Sequence, residues 1–304
     1  MRRKILITGG AGLLALNWAQ SVRDRHDVVL GTHRRQVNLA GVESRQLDLT
    51  SEDAVLRAID DVQPQWLAHT AGLTSVEACE KDPELARQSN VVMPMNIAKA
   101  CARRGVKLIH ISTDHLFSLA APLLDESHPV SPMNTYGKTK AEAEVRVLEA
   151  DPQALVVRTN FYAWGPSYRQ SFSDAILTAL QERRPYTLFQ DVFYNPILCE
   201  PLALTIHDLV ERQANGIFHV VADERLSKHD FGLRLAQHFE LDAAPLRAGR
   251  LAEQTSLVRR PLEMSLSNQK ARQLLGRPLG SVDEQIERLK KQRELKLARE
   301  VQAL

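Results

Sequence analysis

Through the first half of the chain, short apolar runs alternate with longer segments whose apolar residues recur every three or four positions. Lys4–Thr8, Asp27–Thr32, Ser44–Leu49, Gln65–Thr70, Val106–Ser112 and Ala154–Thr159 have the length and residue bias of strands. Helical spacing covers Leu13–Arg25, a segment from the N-cap candidate Ser51 through Asp61, and Thr135–Ala150. A further long helix is opened by Asp82-Pro83 and closed by Arg104 and Gly105. Pro94 lies inside it and is expected to kink it. Near-continuous apolar strands, each followed by a helix, predict a parallel sheet covered on both faces. The handedness of crossovers then favours a doubly wound α/β (Rossmann) arrangement.

The pattern weakens after Arg158. Ile217–Val221 still reads as a strand, but Pro-rich turns and irregular stretches interrupt the rest. The expected division is a Rossmann domain over residues 1–160 and a mixed segment over 161–304. That segment supplies the remaining strands and a smaller C-terminal substrate-binding lobe. Asp283–Leu304 reads as a charged, solvated surface helix.

Composition narrows the class only slightly. The 304 residues are 44% hydrophobic and 25% charged with a formal charge of +2, which offers nothing to a nucleic acid or a membrane surface. The start, Met1-Arg2-Arg3-Lys4 before an apolar run, superficially resembles a signal peptide, but Thr8-Gly9-Gly10-Ala11-Gly12 breaks the run as a strand ending in a phosphate loop would. No apolar run reaches the roughly 18 residues of a membrane helix. Cys79, Cys101 and Cys199 are sparse and odd in number, as expected of reduced, buried thiols in a cytoplasmic protein.

The candidate chemistry begins at that loop. Gly9-Gly10-Ala11-Gly12-Leu13-Leu14-Ala15 fits G-x-x-G-x-x-A between a strand and a helix. The glycines permit a tight turn and let amides approach a pyrophosphate at the helix N-terminus, and the last small residue lets helix and strand pack closely. The end of the second strand reads Gly31-Thr32-His33-Arg34-Arg35 and lacks the acid that would hold a ribose diol. Arg34 and Arg35 instead suit the 2′-phosphate of NADPH, with NADH as the alternative.

Tyr136 and Lys140 in Tyr136-Gly137-Lys138-Thr139-Lys140 fall on one helix face. A phenol with a pKa of about 10 is a poor proton carrier at neutrality, and a nearby ammonium would favour its ionised form. Tyr136 could then protonate a carbonyl oxygen as a hydride reaches the carbon. The strand Leu108-Ile109-His110-Ile111 ends in Ser112-Thr113-Asp114, where a hydroxyl could bond the same oxygen at the strand's carboxyl end.

Together these features resemble the extended short-chain dehydrogenase/reductases, and within them the dTDP-4-dehydrorhamnose reductase family. The resemblance runs from the Gly9 loop through Leu47-Asp48-Leu49, His69-Thr70-Ala71-Gly72, Asn90-Val91 and Ser112–Phe117 to the Tyr136 motif. It continues through Arg158–Tyr162, Gly216–His219 and Arg260-Pro261. It implies a Thr113–Tyr136–Lys140 catalytic set, with Lys140 also holding the nicotinamide ribose. It further implies Asp48 and Leu49 by the adenine, Thr70, Ala71 and Gly72 along the cofactor, and Asp114 and Phe161 near the sugar. The reaction implied is transfer of hydride from NADPH to the C4 ketone of a nucleotide-linked deoxy sugar. A homodimer built through helices of the sheet domain is a further implication, and no metal is expected.

Four positions depart from the family pattern. His115 and Ser118-Leu119 stand where the family has a tyrosine and Asp-Gly, and Phe161 replaces a tryptophan. His115, with an ordinary pKa near neutrality, reads either as an acid–base group or as a tyrosine replacement for shape. His69 reads as a hydrogen-bonded core residue, and Trp164-Gly165-Pro166 as either a rigid turn or a base-stacking platform. A dehydratase would carry Glu at the position of His115, and an epimerase would keep its NAD bound. The regulatory β subunit of methionine adenosyltransferase resembles the same family and represents a non-enzymatic alternative.

Overall fold

The computed structural model describes residues 2–118 and 121–304, so Leu119 of the departing pair lies outside the described residues. The first half contains β1 (Arg3–Thr8), α1 (Leu13–Val22), β2 (His26–Thr32), β3 (Glu43–Gln46), α2 (Glu52–Val62) and β4 (Trp66–His69). It continues through α3 (Val76–Lys81), α4 (Pro83–Arg87), α5 (Met93–Arg104), β5 (Lys107–Ile111), α6 (Thr135–Ala150) and β6 (Leu155–Arg158). Caps act where the sequence placed them. Ser51 accepts from the amide of Ala54 at 3.2 Å, and Gly105 ends α5 in the left-handed region at φ 64°.

The second half adds β7 (Phe161–Tyr162), α7 (Phe172–Gln181), β8 (Tyr186–Phe189), β9 (Phe193–Tyr194), β10 (Ile197–Leu198), α8 (Cys199–Glu211) and β11 (Gly216–His219). After these come β12 (Leu226–Ser227), α9 (Lys228–His238), β13 (Leu246–Gly249), α10 (Gln269–Leu275), α11 (Val282–Glu294) and α12 (Leu297–Gln302). The main sheet has seven strands in the order β11-β6-β5-β4-β1-β2-β3, every neighbouring pair parallel. β11 therefore brings residues 216–219 into a sheet otherwise made by the first half.

Strand alternation sorts the core into two layers. Ile5, Ile7, Leu30, Ile109 and Val157 face Trp18 of α1 and Leu202 and Ile206 of α8. Leu6, Val29, Leu67, Leu108 and Val156 face Ile59, Ile97 and Val147 on the other side. These side chains are almost wholly buried, each contributing roughly 1.5–3 kcal/mol. A third cluster belongs to the second half: Tyr162, Trp164, Leu188, Phe231, Leu235 and Ile286 pack around the short strand pairs.

Two expectations are revised and one is refined. The long helix expected between Asp82 and Gly105 is present as α4, a π-helical turn, Gln88–Val92, and α5, with Pro94 in the first turn of α5. Widening the hydrogen-bond ladder there accommodates a residue without an amide hydrogen. The third strand ends at Gln46 rather than Leu49, because Asp48 turns the backbone by accepting from the amide and hydroxyl of Thr50 at 2.9 and 2.6 Å. The C-terminal segment is two helices separated by Lys296 at φ 63°, and it is not a solvated surface element. Val282, Ile286 and Leu289 form a fully buried stripe among its charges, and Gln285 accepts from the amide of Leu198 at 2.7 Å. None of the described helices is long and apolar enough to cross a membrane.

Candidate active site

The strand order reverses between β1 and β4, and the carboxyl ends of those strands open a crevice, the usual ligand position in such sheets. Gly9 follows β1 with φ +72°, and a Cβ there would lie 2.9 Å from the amide of Ala71, which follows β4. The close approach therefore needs glycine. The amide of Gly12 bonds the carbonyl of Gly9 at 2.7 Å, and Gly12 caps α1 without a side chain. The first-turn amides of Leu13 and Leu14 have no hydrogen-bond partner among the described residues, leaving the positive end of α1 unspent.

A cavity of about 570 Å³ runs from this loop along the crevice. Gly9–Leu14, Arg34, Arg35 and Thr70–Gly72 line one part, and Thr113–His115, Tyr136, Lys140 and Phe161 line the other. Asp48 and Leu49 stand outside the lining. Asp48 spends its carboxylate on Thr50, and Leu49 packs against the apolar layer of α2 and α5. The other residues anticipated for cofactor, substrate and catalysis meet in this one cavity.

Local packing dictates the catalytic geometry. Asn134 caps α6 by accepting from the amide of Gly137 at 2.9 Å, and its amide nitrogen donates to the carbonyl of Arg259 at the same distance. A Cβ at Gly137 would sit 2.6 Å from the carbonyl of His115, so glycine lets α6 press its first turn against the end of β5. This brings Tyr136 close to Thr113, whose hydroxyl opposes the rise in the phenol's pKa while itself donating to Asp114 at 3.3 Å. Burial nevertheless pushes the phenol up to about 12, and the Thr113 contact offsets only part of that shift. The expected lowering by Lys140 is not found. The Lys140 ammonium donates to the carbonyl of Ile111 at 2.7 Å and lies 3.4 Å from Nε2 of His110. Burial brings Lys140 down to about 8, and the charge of Glu144 opposes that fall. Tyr136 is thus a fully protonated phenol at neutral pH, the form needed to donate a proton.

Beneath α6 lies a buried network. Glu144 accepts from Ser112 at 2.6 Å and pairs with Arg158 at 2.7 Å, and Arg158 lies 3.3 Å from Nε2 of His219 on β11. Asn90, in the π-helical turn, bonds both the amide and carbonyl of Leu73 and donates to Thr139 of α6. Of these residues only Ser112 and Asn90 line the cavity; the others hold the elements that do.

On the substrate side, burial raises Asp114 to about 6, while Asn160, donating at 2.7 Å, and the charge of Lys228 pull it back. His115 is held down to about 3 by burial, then by the charges of Lys228 and Arg260. It is neutral at physiological pH, which removes the acid–base reading, and its ring meets Tyr136 edge to face at 5.7 Å. Lys228 and Asn160 escaped notice in the sequence. Ser227-Lys228-His229-Asp230 presents itself as a helix capping box, which it also is, and nothing in that string announces a cation beside Asp114. A second cavity of about 770 Å³, lined by Ser118, Phe193, Arg225, Arg259 and Arg260, opens next to this group.

The remaining candidates are structural. His69 bonds the Thr8 hydroxyl at 2.8 Å in the core. Trp164 is buried and donates to the carbonyl of Leu289 at 3.1 Å, so it is no base-stacking platform. All three cysteines are free and buried, and burial raises each thiol. Among the described residues no group of His, Cys, Asp and Glu could hold a metal ion.

The profile of the RmlD substrate binding domain matches residues 3–294. The chain belongs to this family. It is 31% identical to methionine adenosyltransferase 2 subunit beta of Xenopus laevis over 81% of this chain and 75% of that protein. It is 25% identical to a dTDP-4-dehydrorhamnose reductase of Aggregatibacter actinomycetemcomitans over 90% of this chain and 93% of that protein. Among solved structures, dTDP-4-dehydrorhamnose reductase from Bacillus anthracis in complex with NADP superposes with a TM-score of 0.85 at 24% identity, covering 96% of this chain and all of that one. The fold expected from the strand–helix rhythm is the one this family adopts.

Proposed function

We propose that this RmlD-family protein reduces the C4 keto group of a nucleotide-linked deoxy sugar with NADPH. The observation that carries this reading is the meeting, in one cavity, of the unspent amides of α1 with Thr113, Tyr136 and Lys140. The α1 amides and Arg34 and Arg35 suit a dinucleotide with a 2′-phosphate. NADPH supplies the hydride when bound, and the chain's own residues handle the oxygen and the proton. Thr113 holds the carbonyl oxygen, Tyr136 protonates it, and the Lys140 ammonium bonds the nicotinamide ribose. Residues 161–304 supply the sugar-nucleotide lobe. Asp114 and His115 after β5, with Phe161, face the sugar, and the cavity beside Arg259 and Arg260 suits its diphosphate.

A second reading is a non-catalytic subunit, favoured by the 31% identity to methionine adenosyltransferase 2 subunit beta. The experiment follows nicotinamide absorbance on addition of a panel of nucleotide-linked 4-keto-6-deoxy sugars, with NADH in parallel. Turnover that prefers NADPH supports the reductase and names its sugar. Tight NADPH binding with no turnover on any member of the panel overturns the reductase in favour of the subunit.

A further inference from the structure

A turn from the second half crosses the phosphate loop. Gly165–Gln170 leaves the buried Trp164 and re-enters at Ser171, the cap of α7. One carboxylate staples both ends: Oδ2 of Asp174 accepts from the amides of Gly165 at 2.6 Å and Ser171 at 3.0 Å. Within the turn the amide of Arg169 bonds the carbonyl of Pro166 at 2.9 Å. A Cβ on Gly165 would lie 2.4 Å from the carbonyl of Arg169, so the turn is closely wound at its start.

At the tip of the turn, the Tyr168 hydroxyl donates to the carbonyl of Ala11 in the phosphate loop at 2.9 Å. The guanidinium carbon of Arg35 stands 3.9 Å above the centre of the Tyr168 ring. Arg169 reaches the β4 side of the crevice, donating to the Thr74 hydroxyl at 3.2 Å, and lines the cavity with Arg34 and Arg35. Among the described residues Arg35 has neither a hydrogen-bond nor an ion-pair partner. Stacking on a ring uses the face of a guanidinium, while its five N–H donors lie in the plane. With its carbon 3.9 Å from the ring centre, the Arg35 guanidinium packs on Tyr168, and its N–H donors, without a partner among the described residues, remain available to an anion.

We infer that Tyr168 is a positioning residue for the 2′-phosphate of the dinucleotide, holding Arg35 edge-on to it from the other half of the chain. This rests on the NADPH reading above. Preference for NADPH over NADH then depends on a stacking partner more than 130 residues away from the arginine pair, since 168 − 35 = 133. The ring pre-organises a long side chain that would otherwise lose its freedom on binding.

The test is a set of dissociation constants for NADPH and NADH, read by nicotinamide fluorescence on the full-length protein. The variants are Tyr168→Leu, Tyr168→Phe, Arg35→Leu and the double Arg35→Leu/Tyr168→Leu. Expected is a loss of about five- to tenfold in NADPH affinity for Tyr168→Leu, with NADH affinity within about twofold. Tyr168→Phe keeps the preference because it keeps the ring face. The double variant binds NADPH no more weakly than Arg35→Leu alone, since the tyrosine acts through the arginine. Equal weakening of both dinucleotides by Tyr168→Leu overturns the assignment, as do equal losses in the Phe and Leu variants or multiplying losses in the double variant. A wild-type protein with no preference for NADPH overturns the cofactor reading itself, and this inference with it.

Discussion

The two halves of the cavity recognise their ligands with different materials. On the dinucleotide side the groups on offer are largely backbone: the amides opening α1 and the glycine-permitted approach of the loops after β1 and β4. On the substrate side they are buried side chains with displaced titrations, Asp114 at about 6 and His115 at about 3, governed by Lys228 and Arg260. A backbone cradle accepts any dinucleotide pyrophosphate and changes little with sequence. A cluster of buried charges is particular about its ligand and sensitive to single substitutions. On the reading proposed above, the first half is a general cradle for the cofactor, and the second half selects the molecule.

The largest expected effect separates chemistry from binding. Tyr136→Phe should lower turnover by roughly 10²–10⁴-fold and leave NADPH affinity within about twofold, as measured by steady-state rates and fluorescence titration. A parallel loss of affinity would mean that the two sides are not independent. Next comes Glu144→Gln, which strands Arg158 in the core. Urea unfolding should show a loss of about 3–5 kcal/mol. Because the charge of Glu144 also raises Lys140, whose ammonium titrates at about 8, the high-pH fall in rate should move to lower pH in this variant.

Acid stability tests the buried titratable groups more broadly. His69, His115, His207 and His219 are all brought down to about 3, chiefly by burial. Below pH 6.5 the unfolded chain takes up protons on these rings that the folded chain refuses, so stability falls as pH drops from 6.5 to about 3. Each ring contributes at most about 1.4 kcal/mol per pH unit. Asp114 acts with the opposite sign, since its folded value is raised and the folded chain gains a proton first between about 6 and 3.8. Urea midpoints that stay flat between pH 6.5 and pH 4 would contradict this arrangement. The smallest effect is the most selective. Lys228→Met should raise KM for the sugar substrate by about tenfold while the Kd for NADPH holds, and a shift in the cofactor alone would move Lys228 to the other half of the comparison.

The same division explains what could be read from the chain beforehand. The strands, the caps at Ser51 and Gly105 and the phosphate loop are local events, each decided by a handful of adjacent residues. Tyr136 and Lys140 were legible because one helical turn places them together. Lys228 and Asn160 were not, since their importance comes from Asp114, which no local pattern ties to α9. The tuning of Tyr136 was misjudged for a related reason. Spacing put an ammonium near the phenol, but burial depends on everything packed around it, and the lysine turned to the carbonyl of Ile111. The buried stripe of α11 was hidden by the charges between Val282, Ile286 and Leu289, which dominate any average over the segment.

β11 has a consequence for the order in which the polypeptide takes shape. A ribosome releasing the first 160 residues would deliver Thr113, Tyr136 and Lys140, yet β6 would emerge with one edge unpaired. Its Arg158 would lack the imidazole of His219. The sheet can close only after residue 219 has been made, and α11 and α12 must follow before Trp164 and Arg23 find their partners. Nascent chains of this protein thus carry an open, apolar strand edge through roughly a fifth of synthesis, just past its midpoint, the interval in which a chaperone or a misplaced strand would find it.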